Sequence, residues 1–331
     1  MGTYHALDRQ VQFKAIADGN RLALLRRLMT GPATITTLGT SFGRHPAWIR
    51  HHVKTLEDAG LVELAEIRKT ANYTEKFYRA SADAFSLHLL ITPEFEDRRS
   101  LVVLGSHDFA VEMLAKTVNV SHRIAVIPVA VGSLDGLIAL RQGLADAAGC
   151  HLIDADTAEY NVPYIRHIFP DRSITIVTLS HREQGLIVPA GNPRRVRDIA
   201  QLTAGLRFIN RNRGSGTRIW LERELRKQGV PPEEITGFEH EALTHAEVAA
   251  GVADGSADVG LGIRAAAEQL QLDFIPLFHE RYDIAVATDR LSEPMIQDLL
   301  EPLTSSRFCK SLRDLPGYDT RHTGDTERVA G

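Results

Sequence analysis

Apolar residues recur at helical spacing from the start of the chain. Leu7, Val11 and Ala15 mark a helix over residues 6–17, and Leu22, Leu25 and Leu28 continue the spacing. Gly31-Pro32 ends that run. Thr34 can cap a short helix over 37–42, and Gly43 terminates it. A further helix runs from Pro46, a favoured first-turn residue, through Trp48, Ile49, Val53 and Leu56 to Gly60. Two strand-like stretches follow, 61–67 and 75–79, around the polar tip Arg68-Lys69-Thr70-Ala71-Asn72. Residues 1–80 therefore read as three short helices and a hairpin. A connector is expected over 81–99, where Pro93 and a charged cluster at 94–99 precede a new apolar strand.

From Leu101 onward, short apolar stretches alternate with helical ones: 101–105, 124–131, 174–179, 206–210 and 259–263 against helices starting near Asp108, Leu134, Thr217 and His245. This alternation predicts parallel sheets with crossover helices. The expected α/β unit, residues 100–315, has two lobes, each with its own sheet. The second lobe lies at about 190–278, and the chain crosses between lobes twice. The polar end, 316–331, is expected to be flexible and to fray.

With 331 residues the chain has room for two or three folding units. No apolar run approaches membrane-spanning length, and the first 14 residues lack the apolar core of a signal peptide, so a cytoplasmic protein is expected. Cys150 and Cys309 suggest neither a disulfide framework nor a metal site. The net charge of -4 hides an asymmetry: residues 1–80 hold 12 Lys and Arg against 7 Asp and Glu. The basic end is the one suited to a polyanion.

The segment Phe13-Lys-Ala-Ile-Ala-Asp-Gly-Asn-Arg-Leu-Ala-Leu-Leu-Arg-Arg-Leu28 resembles the opening of ArsR-type winged helix-turn-helix repressors. Ile49-Arg-His-His-Val-Lys-Thr-Leu-Glu-Asp-Ala-Gly-Leu-Val62 resembles their recognition helix and the start of the wing. The resemblance implies that the helix from Pro46 enters the major groove of double-stranded operator DNA, offering Arg44, His45, Trp48, Arg50, His51 and Lys54 to bases and phosphates. The wing tip would place Arg68 and Lys69 on the backbone or in the minor groove. Trp48 could equally be a core residue. Metal-sensing members carry a Cys-x-Cys pair on the preceding helix; residues 36–42 hold no Cys, which argues against metal sensing there.

Three polar turns stand where a strand hands over to a helix: Gly105-Ser-His-Asp108, Gly132-Ser-Leu-Asp-Gly136, and Asn210-Arg-Asn-Arg-Gly-Ser-Gly-Thr-Arg218. Helix starts offer unpaired amides and a positive dipole end, so several such turns around one cleft can enclose a small anion. The stretch from about 101 to 312 resembles the type II periplasmic-binding fold, in the molybdate-binding-like form fused to helix-turn-helix modules. Gly132-Ser-Leu-Asp-Gly-Leu, Gly149-Cys-His-Leu-Ile-Asp154, Arg182-Glu-Gln-Gly-Leu186 and Ala257-Asp-Val-Gly-Leu-Gly262 carry the resemblance. Asn-Arg-x-x-Gly-Ser-Gly-Thr is similar to a turn of tungstate-binding proteins. That similarity implies that Arg211, Ser215, Gly216 and Thr217 hold an oxyanion, with Arg218 beside them, and that Ser106, His107 and Ser133 face them. The Thr-rich run of those proteins' first turn is missing.

His151 and Arg182 lie near expected strand ends, where ligands of open α/β sheets bind, although each could instead be structural. Tyr160, Thr244 and His245 could line the cleft or cap turns, and Tyr282 could close over ligand or be a core aromatic. No cofactor motif is present. An enzyme reading built on Ser106, His107, Asp108 and His151 lacks a Gly-x-Ser-x-Gly elbow, a Walker lysine and a His-Glu-x-x-His pair. The expectation is a non-enzymatic, one-component transcriptional regulator whose effector is a small oxyanion, molybdate or tungstate first and a small carboxylate or sulfonate as the alternative. It should act as a homodimer, since operators read as two half-sites call for two-fold symmetry, with residues 6–17 as the dimer element.

Overall fold

Side-chain caps set the helix starts of the N-terminal unit. Asp18 accepts from the amides of Asn20 and Arg21 ahead of Gly19–Met29, and Thr34 accepts from Thr37 N ahead of Ile35–Phe42, which ends at Gly43 with φ 59°. The computed structural model describes residues 4–7, 9–69, 73–87, 89–121 and 124–330, and the chain divides into two units, Met1–Ile91 and Thr92–Gly331. In the first unit, Leu24, Leu28, Leu38, Ile49, Val53, Leu56 and Leu61 form a closed core under the helix Pro46–Asp58. The hairpin Val62–Lys69 with Thr74–Ala80 gains a third strand, Ala33–Thr34.

Two expectations fail in this unit. The first helix begins only at Gln10, where Gln12 Oε1 accepts from Arg9 N. Tyr4–Leu7 is instead a strand that pairs in parallel with Ala84–Leu87, inside the stretch read as a connector. Leu7 is buried in the helical core and Phe85 packs on it, so the pairing puts apolar side chains inward while satisfying both backbones.

The second unit is a two-lobed α/β domain. Arg99–Gly105, Ile124–Ala130 and Ala147–Cys150 run parallel in the first lobe, with the helices Phe109–Ser121 and Ser133–Arg141 between them. Phe208–Arg211, Glu241–Ala242 and Val259–Ile263 run parallel in the second, around a core containing Leu186, Phe208, Trp220, Leu221 and Leu261. The lobes do not have separate sheets. Two 15-residue antiparallel strands, Ile174–Val188 and Asp273–Ala287, pass through both lobes, so one hydrogen-bonded ladder is continuous from end to end. Register shifts at Pro276/Phe278 and Tyr282/Asp283 bracket the crossing, and between them Glu280 stands opposite Arg182.

Residues 316–331, expected to fray, are built into the sheet. Tyr318–Asp319 pairs with Arg182 and His181, and Thr326–Val329 pairs with residues 174–177, because the long strand would otherwise present an open edge there. No helix among the described residues is long and apolar enough to cross a membrane.

Candidate functional site

The strand crossing is where buried polar side chains gather. Glu280, 1% exposed, accepts from Arg182 Nε at 2.5 Å and Gln184 Nε2 at 2.6 Å through one oxygen, and holds His151 Nδ1 at 2.8 Å with the other. Asp108 takes Arg182 Nη1, and Tyr318 donates to the same Asp108 oxygen. Burial alone would raise the Glu280 carboxyl, but the Arg182 charge, with hydrogen bonds from His151 and Gln184, brings it down to about 2. Burial works against the Arg182 charge, but Glu280 and Asp108 hold its pKa above the usual range. Tyr282 is sandwiched in this network: its ring lies 4.7 Å from the Arg182 guanidinium and 5.4 Å from the His151 ring, and its hydroxyl donates to Ser106 O at 2.5 Å. It has no exposed surface.

The three turns converge on the same place. Ser133 Oγ donates to Ser106 Oγ at 3.1 Å and accepts from His151 N, tying the first two turns together. The third turn comes from the other lobe and touches them: Leu134 N donates to Gly214 O, and Asn212 Nδ2 donates to Val131 O. Gly132, at φ 105°, permits this approach, since a Cβ there would stand 3.1 Å from Asn212 Nδ2. Gly216 brings the start of the helix Gly216–Gln228 against His151, where a Cβ would stand 2.1 Å from the His151 carbonyl oxygen. Ser215 accepts from Arg218 N as the helix cap, and Thr217 Oγ1 accepts from Gln184 Nε2.

Arg211 has no exposed surface and makes no ion pair with a described carboxylate. Its Nε and Nη2 donate to the carbonyls of Ala242 and Leu243, while Nη1 has no partner among the described residues. Burial, reinforced by Arg182, lowers its pKa to about 10. Arg182 Nη2, His151 Nε2, Gln184 Oε1, Asn212 Oδ1 and both ring nitrogens of His245 likewise lack a partner among the described residues, and Arg182, Arg211, His107 and His151 all act electrostatically on His245. Burial, then Arg211 and Arg182, holds His245 well below the usual histidine range.

Other expected residues have partners of their own, although the His107 ring lies 6.4 Å from that of His245. Arg218 turns away from this interior, its guanidinium engaged by Glu222, Glu239 and Glu241. Thr244 caps the helix His245–Ala253 in a capping box with Glu247. Tyr160 is half-buried and donates to His279 O at 3.4 Å. His107 is half-buried, with Nε2 on Glu112 at 2.9 Å and Nδ1 unpartnered. Asp108, Gln184, Glu280 and Tyr318 were not singled out as site residues. The sequence signal for Glu280 is an acid just ahead of the apolar run Tyr282-Asp-Ile-Ala-Val-Ala287, which the structure places inside one strand.

In the N-terminal unit, Arg50, His51 and Lys54 share the exposed face of Pro46–Asp58, opposite buried Ile49, His52, Val53 and Leu56. Lys54 reaches Glu57 at 3.2 Å and Asp58 at 2.8 Å. His45 accepts from Ala47 N as helix cap, and Arg44 lies over Trp48, which is half-buried against His52. Arg68 pairs with Glu66 and lies 4.5 Å from the Phe77 ring, and Lys69 is exposed. The rest of the expected wing tip, residues 70–72, is outside the described residues.

Residues 116–304, more than half of the chain, match the family described as PBP superfamily domain. The chain belongs to that family. Residues 16–65 match the family described as helix-turn-helix domain. This PBP-superfamily chain is 34% identical over 229 residues to the uncharacterized protein YvgK of Bacillus subtilis, covering 69% of the chain and 74% of that relative. It is also 35% identical over 107 residues to an uncharacterized Clostridium pasteurianum protein from the 5' region of a 2Fe-2S ferredoxin gene, covering 32% and 95% respectively. Among solved structures, a Clostridium perfringens ABC-transporter substrate-binding protein with bound phosphate shares the fold at a TM-score of 0.51 and 12% identity, covering 65% of this chain and 97% of that one. The PBP-superfamily domain thus follows a helix-turn-helix domain, the make-up of a ligand-regulated DNA-binding regulator.

Proposed function

We propose that this protein is a one-component, cytoplasmic transcriptional regulator that binds operator DNA as a homodimer and is controlled by a small oxyanion enclosed between the sensor lobes. Arg211 carries this reading: a fully buried guanidinium without a carboxylate partner is costly unless an anion completes it. Arg182 Nη2 and the hydroxyl-bearing turns at Ser106, Ser133 and Ser215 supply further donors around it. The resemblance of the Asn210–Thr217 turn nominates molybdate and tungstate as inorganic effectors; a small carboxylate or sulfonate is the organic reading. Effector binding changes DNA affinity only as far as it favours one arrangement of the protein.

Calorimetry with molybdate, tungstate, sulfate and small organic acids, followed by gel shifts with and without the best ligand, tests the proposal. The expected result is one tight ligand, lost in Arg211→Ala, that alters operator affinity. Undiminished binding by Arg211→Ala would overturn the site, and a ligand without effect on DNA affinity would overturn the regulatory role. Light scattering that shows a monomer with and without operator DNA would remove the dimer.

A further inference from the structure

The open atoms around Glu280 are not all donors. Glu280 is a carboxylate that can only accept, so the His151 nitrogen 2.8 Å from it, Nδ1, carries the imidazole proton. His151 has no exposed surface, and its burial, reinforced by Arg182 and Arg211, keeps the ring neutral against the pull of Glu280. His151 Nε2 is therefore a bare lone pair without a protein partner. Gln184 is oriented by the same carboxylate. Its Nε2 donates to Glu280 Oε1 at 2.6 Å and to Thr217 Oγ1 at 2.8 Å, which turns Oε1, also unpartnered and buried, the other way. His245, neutral and buried, offers one N–H and one further lone pair.

The interior thus presents guanidinium donors from Arg182 and Arg211 together with acceptors from His151 and Gln184, all tied to or coupled with one carboxylate. A fully deprotonated tetrahedral dianion brings only acceptors. It would satisfy the arginines and set oxygen lone pairs against His151 Nε2 and Gln184 Oε1, leaving those buried acceptors unpaired.

We propose that the effector is an anion that also carries at least one O–H group, its charge on Arg182 and Arg211 and its hydroxyl proton donated to His151 Nε2. The proposal rests on the reading of this interior as the effector site and narrows the ligand within it. Two sources share the chemistry: an inorganic oxyanion that keeps a proton at neutral pH, such as hydrogenphosphate, and a hydroxy acid.

Calorimetry on the full-length protein at neutral pH with matched probes separates these cases: phosphate against sulfate and molybdate, and lactate against propionate. The expected result is that, in at least one set, the O–H-bearing member binds about tenfold or more tightly than its partners. Tighter phosphate identifies the inorganic source, and tighter lactate the organic one. In His151→Ala the preference should shrink to near unity even where overall affinity also falls, a change in ratio that a purely structural role for His151 does not produce. If, in every set that gives heat, a member without the O–H group binds as tightly as its O–H-bearing counterpart, the inference is overturned while the effector site stays in place. Heat from none of the five probes would overturn the inference, and silence across the wider oxyanion and organic-acid panel would overturn the small-anion site with it.

Discussion

Tyr318 donates its hydroxyl to Asp108 Oδ2 at 2.7 Å, and that oxygen also accepts from Arg182 Nη1. A residue near the C-terminus, 210 positions away, therefore helps to fix the guanidinium at the strand crossing. The C-terminal segment completes the sensor in two ways, as edge strands on Ile174–Val188 and through this contact.

Removing the hydroxyl alone tests the contact. Tyr318→Phe leaves a buried carboxylate short of one charge-assisted hydrogen bond, an expected loss of about 1.5–3 kcal/mol. Urea unfolding of the sensor transition measures it, and a midpoint equal to that of the parent would show the contact to be idle.

Arg211→Met should separate stability from binding. The substitution removes a buried unpaired charge but strips donors from the carbonyls of Ala242 and Leu243, two effects of opposite sign. Effector-free stability should change by less than about 2 kcal/mol, while the stabilisation conferred by the best ligand disappears. Thermal melts with and without ligand report both; retained ligand stabilisation would count against Arg211 as the anion partner.

Arg50 and Lys54 share one exposed helix face, and among the described residues Lys54 pairs with carboxylates, Glu57 and Asp58, where Arg50 pairs with none. Binding a phosphate would require Lys54 to leave Glu57 and Asp58. Arg50→Ala should therefore weaken operator binding more than Lys54→Ala, and should lower the salt slope by roughly one phosphate contact. Gel shifts across a salt series measure this, and equal effects would contradict it.

Acidification should destabilise the sensor in two windows. Burial holds His245 and His151 below the usual histidine range, so the unfolded chain takes up protons that the fold refuses, and stability falls as pH drops below about 6.5. Glu280 sits at about 2 in the fold. Its contribution is fully present above the unfolded carboxylate range near pH 4.3 and is lost as pH falls toward 2. Each group adds a slope of at most about 1.4 kcal/mol per pH unit within its window. Unfolding free energies at intervals from neutral pH downward measure the slopes, and His245→Asn should flatten the first window.

The outline was legible where the physical signal is local. Helical periodicity, Pro46 and the stop at Gly43 marked the helix-turn-helix core, and the strand-helix alternation after Leu101 marked an α/β sensor. The three polar turns were visible because Gly, Ser and Thr at a strand-to-helix handover leave few alternatives, and Ser106, Ser133 and the 211–217 turn do meet. For Arg218, sequence proximity to Arg211 does not tell which way a helix start turns a side chain. The first turn of Gly216–Gln228 points it at Glu222 and Glu241 instead.

Most of the helices, the strand-helix alternation and the places where charge and hydroxyls cluster are legible in the chain, because those depend on neighbours within about a turn or a strand. Long-range pairing set the passage of two long strands through both lobes, the match of Tyr4–Leu7 with Ala84–Leu87, and the closing of the sheet edge by the polar end. It alone brought Asp108, His151, Arg182, Glu280 and Tyr318 together, since pairing between positions far apart in the chain is set by register and burial, which composition and spacing do not encode.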